Sequence, residues 1–401
     1  MKRIYLDHAA TTPVDPAVVE VMVSSLKDNF GNPSSVYAEG RTAKKSIDAA
    51  RAQVAKAINA DPREIFFTAS GSEADNWAIK GIAMKNQAKG NHIITTKIEH
   101  HAILHTCQYL EKHGFEVTYL PVDKDGLISL EDLRNAIRKE TILVSIMFAN
   151  NEIGTIEPIR EIGKIVKEKG IVFHTDAVQA LGNIPIDVKD LNVDLLSVSA
   201  HKIYGPKGIG ALYIRKGLPI DNLIHGGGQE RKKRAGTENT PEIVAFGKAA
   251  ELATEHLETN INHMKTLRDQ LIKGVTERIP KVRLNGHPQK RLPGNANFCF
   301  EYIEGESILL SLDIIGIAGS SGSACTSGSL DPSHVLLAIG LPAGMAHGSL
   351  RLTIGKSTTP EDIDYVVDNL VGIIQRLRAM SPIDADNPID SAVFDKADHH
   401  H

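Results

Sequence analysis

The stretch Leu195-Leu196-Ser197-Val198-Ser199-Ala200-His201-Lys202 is an apolar run that ends in polar residues. A short apolar run bounded in this way reads as a buried strand, here 195–199. The lysine just beyond it is the unusual feature. An ammonium is costly to bury unless it is paired, or unless the amine is used covalently as a Schiff base. Taken alone, these residues read as an ordinary surface loop, so the decision rests on what the chain places beside them.

Upstream, apolar runs alternate with helical patterns. Candidate strands are 64–68, 92–96, 116–120, 141–148 and 171–175, and 210–214 follows the opening stretch. Candidate helices over 73–87, 101–113, 129–139 and 159–169 lie between them, the last stopped by Gly170. This alternation predicts an α/β fold with a largely parallel sheet. Asn150-Asn151, Asp176 and His201-Lys202 each stand where a strand ends, and the carboxyl edge of such a sheet is where ligands bind. From Pro241 the character changes. Thr240 and Pro241 open a long helical region in which Leu257, Ile261, Met264, Leu267, Leu271 and Val275 form one apolar stripe, with a domain transition expected near residue 258. Strands at 297–301 and 350–354 and a final helix near 360–378 make a smaller α/β region.

The 401 residues suffice for two or three domains, and 42% hydrophobic with 23% charged residues is a globular composition. A net charge of -4 supplies no global field for nucleic acid or an anionic membrane. The run Arg231-Lys232-Lys233-Arg234 reads as a solvated loop. No apolar run is long enough to span a bilayer, and Met1-Lys2-Arg3 leads directly into Ile4-Tyr5-Leu6-Asp7, without the pattern of a signal peptide. Cys107, Cys299 and Cys325 do not make a disulfide framework, so a cytoplasmic setting is expected.

Several constellations bear on chemistry. Thr68-Ala69-Ser70-Gly71-Ser72-Glu73 runs from a strand through small residues into a helix, whose free N–H groups suit a phosphate or simply a cap. Asp176, in His174-Thr175-Asp176-Ala177-Val178-Gln179, stands 26 positions before Lys202. An acid so placed is a cap, a metal ligand or the partner of a protonated pyridine nitrogen, as in pyridoxal phosphate (PLP) chemistry. In Glu99-His100-His101, with His105 following, a zinc pair is conceivable but lacks further ligands, and stacking of His100 on an aromatic cofactor is favoured. Gly319-Ser320-Ser321-Gly322-Ser323-Ala324-Cys325 puts a thiol in a stretch too small and polar to form core, whereas Cys107 and Cys299 are expected to pack as small hydrophobes. Asp331-Pro332 is expected to cap the helix that follows. Arg351 inside an apolar strand calls for an anion, either a structural partner or a carboxylate held by its planar fork.

Tyr5-Leu6-Asp7-His8-Ala9-Ala10-Thr11-Thr12, Asn150-Asn151-Glu152-Ile153-Gly154, His174–Gln179, Ser199–Gly208 and Ser321-Gly322-Ser323-Ala324-Cys325 together resemble the NifS/IscS-like group of cysteine desulfurases, in the class V aminotransferase family. The resemblance runs from Tyr5 to about Arg378. It implies the PLP-dependent fold type I: a large domain with a mostly parallel seven-stranded sheet over 15–258, and a smaller α/β domain from 1–14 and 259–380. The polar tail, 381–401, matches nothing recognised, and its closing histidines read as a tag remnant.

The same resemblance implies residue roles. Lys202 carries PLP, Asp176 pairs with its ring nitrogen, and His100 stacks on the ring and takes the thiol proton. Gln179 and Asn151 lie near the ring hydroxyl. Gly71, Ser72, Ser199 and His201 hold the phosphate, joined by Thr237 from the other subunit of a homodimer. Some relatives have threonine at Ser72, which keeps the hydroxyl. Arg351, with Asn151, takes the substrate carboxylate, and Cys325 receives sulfur as a persulfide before passing it to an acceptor protein. The implied reaction converts L-cysteine to L-alanine, the acceptor being an iron–sulfur scaffold or another thiolation partner. The competing readings are a selenocysteine lyase or another PLP enzyme of this fold, a metal-binding protein built on His100, His101 and His105, and an idle assembly scaffold.

Overall fold

The structure, a computed structural model, describes residues 3–321 and 332–381. Its strands, in chain order, are β1 (Ile4–Tyr5), β2 (Ile65–Thr68), β3 (His92–Thr96), β4 (Glu116–Leu120), β5 (Thr141–Ser145), β6 (Val172–Asp176), β7 (Leu195–Ser199), β8 (Gly210–Ile214), β9 (Val282–Asn285), β10 (Asn295–Phe300), β11 (Ile317–Ala318) and β12 (Ser349–Thr353). A seven-stranded sheet runs β2-β8-β7-β6-β5-β3-β4, in which β8 is antiparallel to both neighbours and the other pairings are parallel. The strands β2, β3, β5, β6 and β7 therefore end on one edge. That edge receives Ser70-Gly71, Glu99-His100, Asn150-Asn151, Asp176 and Ala200-His201-Lys202.

Buried apolar side chains cover both faces of this sheet. One cluster joins Val144, Phe148, Phe173, Val198 and Phe246; the other is built on Trp77, Ile82, Leu143 and Leu212. Most strands are buried along their whole length, which is why they read as continuous apolar runs rather than alternating ones. A separate cluster surrounds the three-stranded sheet β12-β10-β9 and draws on Ile4 and Leu6 as well as residues from Met264 to Ile374. The long helical region breaks at His256, between helices Thr240–Glu255 and Leu257–Arg278; the second buries Met264, Leu267, Leu271 and Val275.

Local chemistry explains most element ends. Ser70 Oγ accepts from the Glu73 N–H at 3.0 Å, so the third helix starts at Gly71, two residues before the sequence pattern suggested. Gly170 has φ +66°, the left-handed stop expected after helix Ile159–Glu168. The expected strand 141–148 stops at Ser145, because β3 pairs only as far as Val144; Ile146 and Phe148 keep single bonds to His174 and Asp176 carbonyls, at 3.2 and 2.8 Å. Ser333 caps helix His334–Ala338, its Oγ accepting from the Val335 and Leu336 N–H groups; Asp331, expected to cap it, lies outside the described residues.

Candidate active site

Lys202 lies in a single 3-10 turn, Ala200–Lys202, directly after β7. Its Nζ donates to the carbonyls of Ala9 at 2.6 Å and Ala10 at 2.7 Å. The segment carrying those carbonyls is stitched to both sheets: Thr12 N–H donates to His201 O at 3.0 Å, Tyr204 N–H to Thr12 Oγ1 at 2.8 Å, and Ala9 N–H to Thr353 Oγ1 at 2.9 Å. Burial, with the nearby Arg351 cation as the next cause, pulls the Lys202 amine down to about 8, against the opposing charges of Asp176 and Asp7. Lys202, His8, Gln179, Tyr204, Asn295 and Lys356 are among the residues lining a cavity of about 200 Å³ between the two cores.

Asp176 is buried at the end of β6 and accepts from the Val178 N–H at 2.8 Å. Burial raises its carboxyl to about 6, while that bond and Lys202 act to lower it. Gln179 Nε2 donates to Ala9 O at 2.9 Å, which puts it on the carbonyl that also holds Lys202. Gly71 packs where β7 ends: a Cβ there would lie 2.8 Å from Val178 Cγ2 and 3.5 Å from Ser199 Cβ. Ser72 is exposed on the first turn of the same helix and lines a shallow groove with His100. Ser199 is buried, and His201 Nδ1 lies 3.1 Å from Thr11 Oγ1. Burial, followed by Lys202 and Lys207, lowers His201 to about 4, so its ring is neutral.

His100 caps helix His101–Glu111, its Nδ1 accepting from the Ala102 N–H at 3.1 Å. Desolvation, then Lys202 and His334, lowers its pKa. The neutral ring therefore carries its proton on Nε2, and it can take another only by giving up the cap bond. His101 stands 4.9 Å from the His105 ring and 4.8 Å from that of His334, yet no group of three or more His, Cys, Asp or Glu among the described residues is arranged to hold a metal ion.

Arg351, on β12, donates from Nη1 to Asn151 O at 3.0 Å and from Nη2 to Asp7 Oδ1 at 3.0 Å; its buried Nε has no partner among the described residues. The arginine thus has a resident anion. Thr237 is exposed on the loop after Arg234 and is not among the residues lining the cavity at Lys202. Cys325 lies outside the described residues. Cys107 and Cys299 are buried, as expected; burial pushes both thiols up, Cys299 to about 11.

Some of the site was not anticipated. Behind Asp176 stand two further buried acids, Asp75 and Glu99, both raised chiefly by burial and secondarily by the Asp176 charge; Glu99 reaches about 8. Asp75 Oδ1 is 3.7 Å from His174 Nε2, but burial lowers that histidine to about 3, so the contact is not an ion pair. Glu99 Oε1 accepts from Thr96 Oγ1 and the Met147 N–H, at 2.8 and 3.0 Å. The cationic run is exposed at Arg231 and Lys232, as expected of a solvated loop, yet two of its arginines also have partners. Arg231 lies 4.2 Å over the Phe66 ring, Arg234 pairs with Glu73 at 2.9 Å, and the adjoining Glu230 receives Arg51 at 2.7 and 2.8 Å in a buried pair. Nothing local in the sequence marks these partners, which lie far apart in the chain.

The family model for class-V aminotransferases matches residues 4–366. A cysteine desulfurase IscS of Clostridium botulinum is 63% identical over 384 residues, covering 95% of this chain and 97% of that protein. A solved NifS-like protein superposes with a TM-score of 0.88 at 40% identity, over 94% of this chain and 100% of the other. A structure of SspA in complex with cysteine superposes with a TM-score of 0.79 at 40% identity, over 89% and 100%. Lysine, aspartate and arginine from three distant parts of the sequence meet at one sheet edge, in a chain similar to these proteins over nearly its full length: it belongs to the class-V aminotransferase family, within the NifS/IscS-like group of cysteine desulfurases.

Proposed function

We propose that the chain is a PLP-dependent cysteine desulfurase that converts L-cysteine to L-alanine and leaves the sulfur on Cys325 as a persulfide for an acceptor protein. The observation that carries this reading is the convergence of Lys202, Asp176 and Arg351, whose charges act on one another at the carboxyl edge of the sheet. The residues present fit PLP. Asp176 is a buried carboxylate with a raised pKa, which a protonated ring nitrogen would relieve. Gly71, which packs closely on Val178 and Ser199, opens a 16-residue helix whose first N–H groups suit a phosphate, with Ser72, Ser199 and His201 as the further phosphate residues of this reading. Lys202 offers an amine that is partly neutral at physiological pH. When bound, PLP supplies an electron sink for carbanion chemistry.

The protein's part is positioning and proton transfer. Arg351 and Asn151 receive the substrate carboxylate, the arginine exchanging Asp7 for it. Lys202 Nζ takes the Cα proton and later returns a proton to carbon. The Cys325 thiol gives its proton to His100, at the cost of the Ala102 cap bond, roughly 1 kcal/mol. The Cys325 thiolate then attacks the substrate sulfur: a sulfur–sulfur bond forms, the carbon–sulfur bond breaks, and its electron pair leaves with carbon, which protonation converts to alanine.

The division at about residue 258 belongs to the same reading, with 15–258 holding the cofactor and the smaller unit bringing Arg351 and Cys325; the separate apolar cluster around Ile4, Leu6 and Met264–Ile374 supports it. The enzyme acts as a homodimer in which Thr237 of the partner subunit completes the phosphate site. Phe30 and Val36, 79% and 88% exposed, with Leu26 and Tyr37, give a face for a second copy. The buried, unpaired Cys107 and Cys299 support a reducing, cytoplasmic setting. No described helix is long and apolar enough to cross a membrane. The acceptor in this reading is an iron–sulfur scaffold or another thiolation partner. Incubation of the loaded enzyme with L-cysteine and, separately, L-selenocysteine tests the reading: alanine equal to enzyme-bound sulfane sulfur supports it, and turnover of selenocysteine alone refutes it.

A further inference from the structure

Both ends of the segment that carries Cys325 are moored beside Arg351, and the downstream mooring is a buried carboxylate that the mechanism above leaves unused. Upstream, Arg351 N–H donates to Ser320 O at 2.6 Å and Ser320 N–H to Arg351 O at 3.1 Å. Downstream, Glu152, 5% exposed, accepts from the Ser333 hydroxyl at 2.5 Å, and that hydroxyl oxygen also caps helix His334–Ala338. Glu152 is itself rigidly placed. Its N–H and that of Ile153 donate to Asn150 Oδ1, each at 2.9 Å. Its carbonyl accepts from the Asn295 and Asn297 amides at 3.2 and 3.1 Å, and Asn297 lies directly opposite Arg351 in the β10–β12 register. The preceding residue, Asn151, gives its carbonyl to Arg351 Nη1.

We propose that Glu152 is a positioning residue for sulfur transfer, holding Ser333 and with it the downstream root of the Cys325 segment in fixed relation to the substrate-binding arginine. This role rests on the desulfurase reading. Covalent reach shows why two moorings matter. Five residues separate Cys325 from Ser320 and eight separate it from Ser333, so chain length alone allows about 18 Å from one root and about 29 Å from the other. The thiol is confined to the volume both tethers share. Releasing the Ser333 root enlarges that volume and lowers the concentration of thiol at the substrate sulfur. Burial raises the Glu152 carboxyl to about 7, while Ser333 and then Arg351 act to lower it, as expected of an acid kept inside for the bond it makes.

The test uses the full-length, PLP-loaded enzyme with three variants. Ser333→Ala and Glu152→Leu remove the bond from either side, and Glu152→Gln keeps an oxygen that accepts from Ser333. Single-turnover persulfide formation falls about 10- to 100-fold in the first two, while the dissociation constant for L-cysteine stays within a factor of about two. Amides 335–338 exchange faster with deuterium in both, and Glu152→Gln stays near wild type in every readout. Ser333→Ala carries the argument if Glu152→Leu does not fold. Wild-type transfer rates and unchanged exchange in Ser333→Ala overturn the proposal. A wild-type enzyme that forms no persulfide overturns the desulfurase reading instead, and this role with it.

Discussion

Under the proposed function Lys202 captures PLP as the neutral amine, and the structure determines how much of it is present. Burial, and after it Arg351, takes the amine from 10.5 to about 8. At pH 7.5 about a quarter of the Lys202 side chains are then neutral, against about one in a thousand for an ordinary lysine, a gain of roughly 240-fold. Replacing Arg351 with Met removes the repelling cation and leaves burial opposed by Asp176 and Asp7. Each rise of one pH unit in the amine's pKa lowers the neutral fraction at pH 7.5 about eightfold. The assay mixes apo-enzyme with excess PLP at a series of pH values, follows the visible absorbance, and confirms the site by borohydride trapping and peptide mass. The wild-type rate should climb about tenfold per pH unit below 8 and level off above it. The rate of Arg351→Met should be lower at pH 7.5 and still rising past 8, and Arg351→Lys, which keeps the charge, should follow wild type. A wild-type rate that is flat below pH 8, or that keeps climbing to pH 10, refutes the reasoning.

Three further outcomes follow from the same geometry. Arg351→Gln should raise KM for L-cysteine about 10- to 100-fold, as loss of a charge-assisted hydrogen bond of roughly 1.5–3 kcal/mol requires, with a smaller change in kcat by steady-state alanine release. Glu99 has a carboxyl raised from 4.5 to about 8 on folding, so the folded protein keeps a proton that the unfolded chain releases, and stability falls as pH rises through that window. Glu99→Gln is neutral throughout, and in urea denaturation its advantage over wild type should grow from near zero at pH 4.5 to about 3 kcal/mol at pH 7, whereas parallel curves count against it. Arg51→Met leaves Glu230 buried and unpaired, which should cost about 3–5 kcal/mol in the same assay.

What the chain disclosed at the outset was whatever depends on local pattern. Short, mainly apolar runs such as Leu195–Ser199 read as strands covered on both faces, and the polar residues after them mark the carboxyl edge. Asp176, Lys202 and Arg351 stood out because each is a charge attached to an apolar strand. The partners of those charges were not legible. Ala9 holds Lys202 across 193 positions, and Asp7 holds Arg351 across 344, through backbone paths that no local spacing encodes. Nothing in the sequence around Glu99 and Glu152 marks either as buried; only the packing of β3, β5 and helix His334–Ala338 around them makes them so. The reversed direction of β8 was equally hidden, because a buried strand has the same composition whichever way it runs.

The central claim is that a Lys202-borne cofactor activates L-cysteine and Cys325 takes its sulfur. Peptide mass spectrometry of the PLP-loaded enzyme after one turnover with L-cysteine, with thiols blocked afterwards, tests this most directly. The account predicts one added sulfur atom on Cys325 and none on Cys107 or Cys299, an equal yield of alanine, and loss of both in Lys202→Ala; Cys325→Ala should retain the PLP absorbance and bind cysteine without acquiring sulfur. Alanine released at the wild-type rate by Cys325→Ala, or sulfur found on another cysteine, would contradict it.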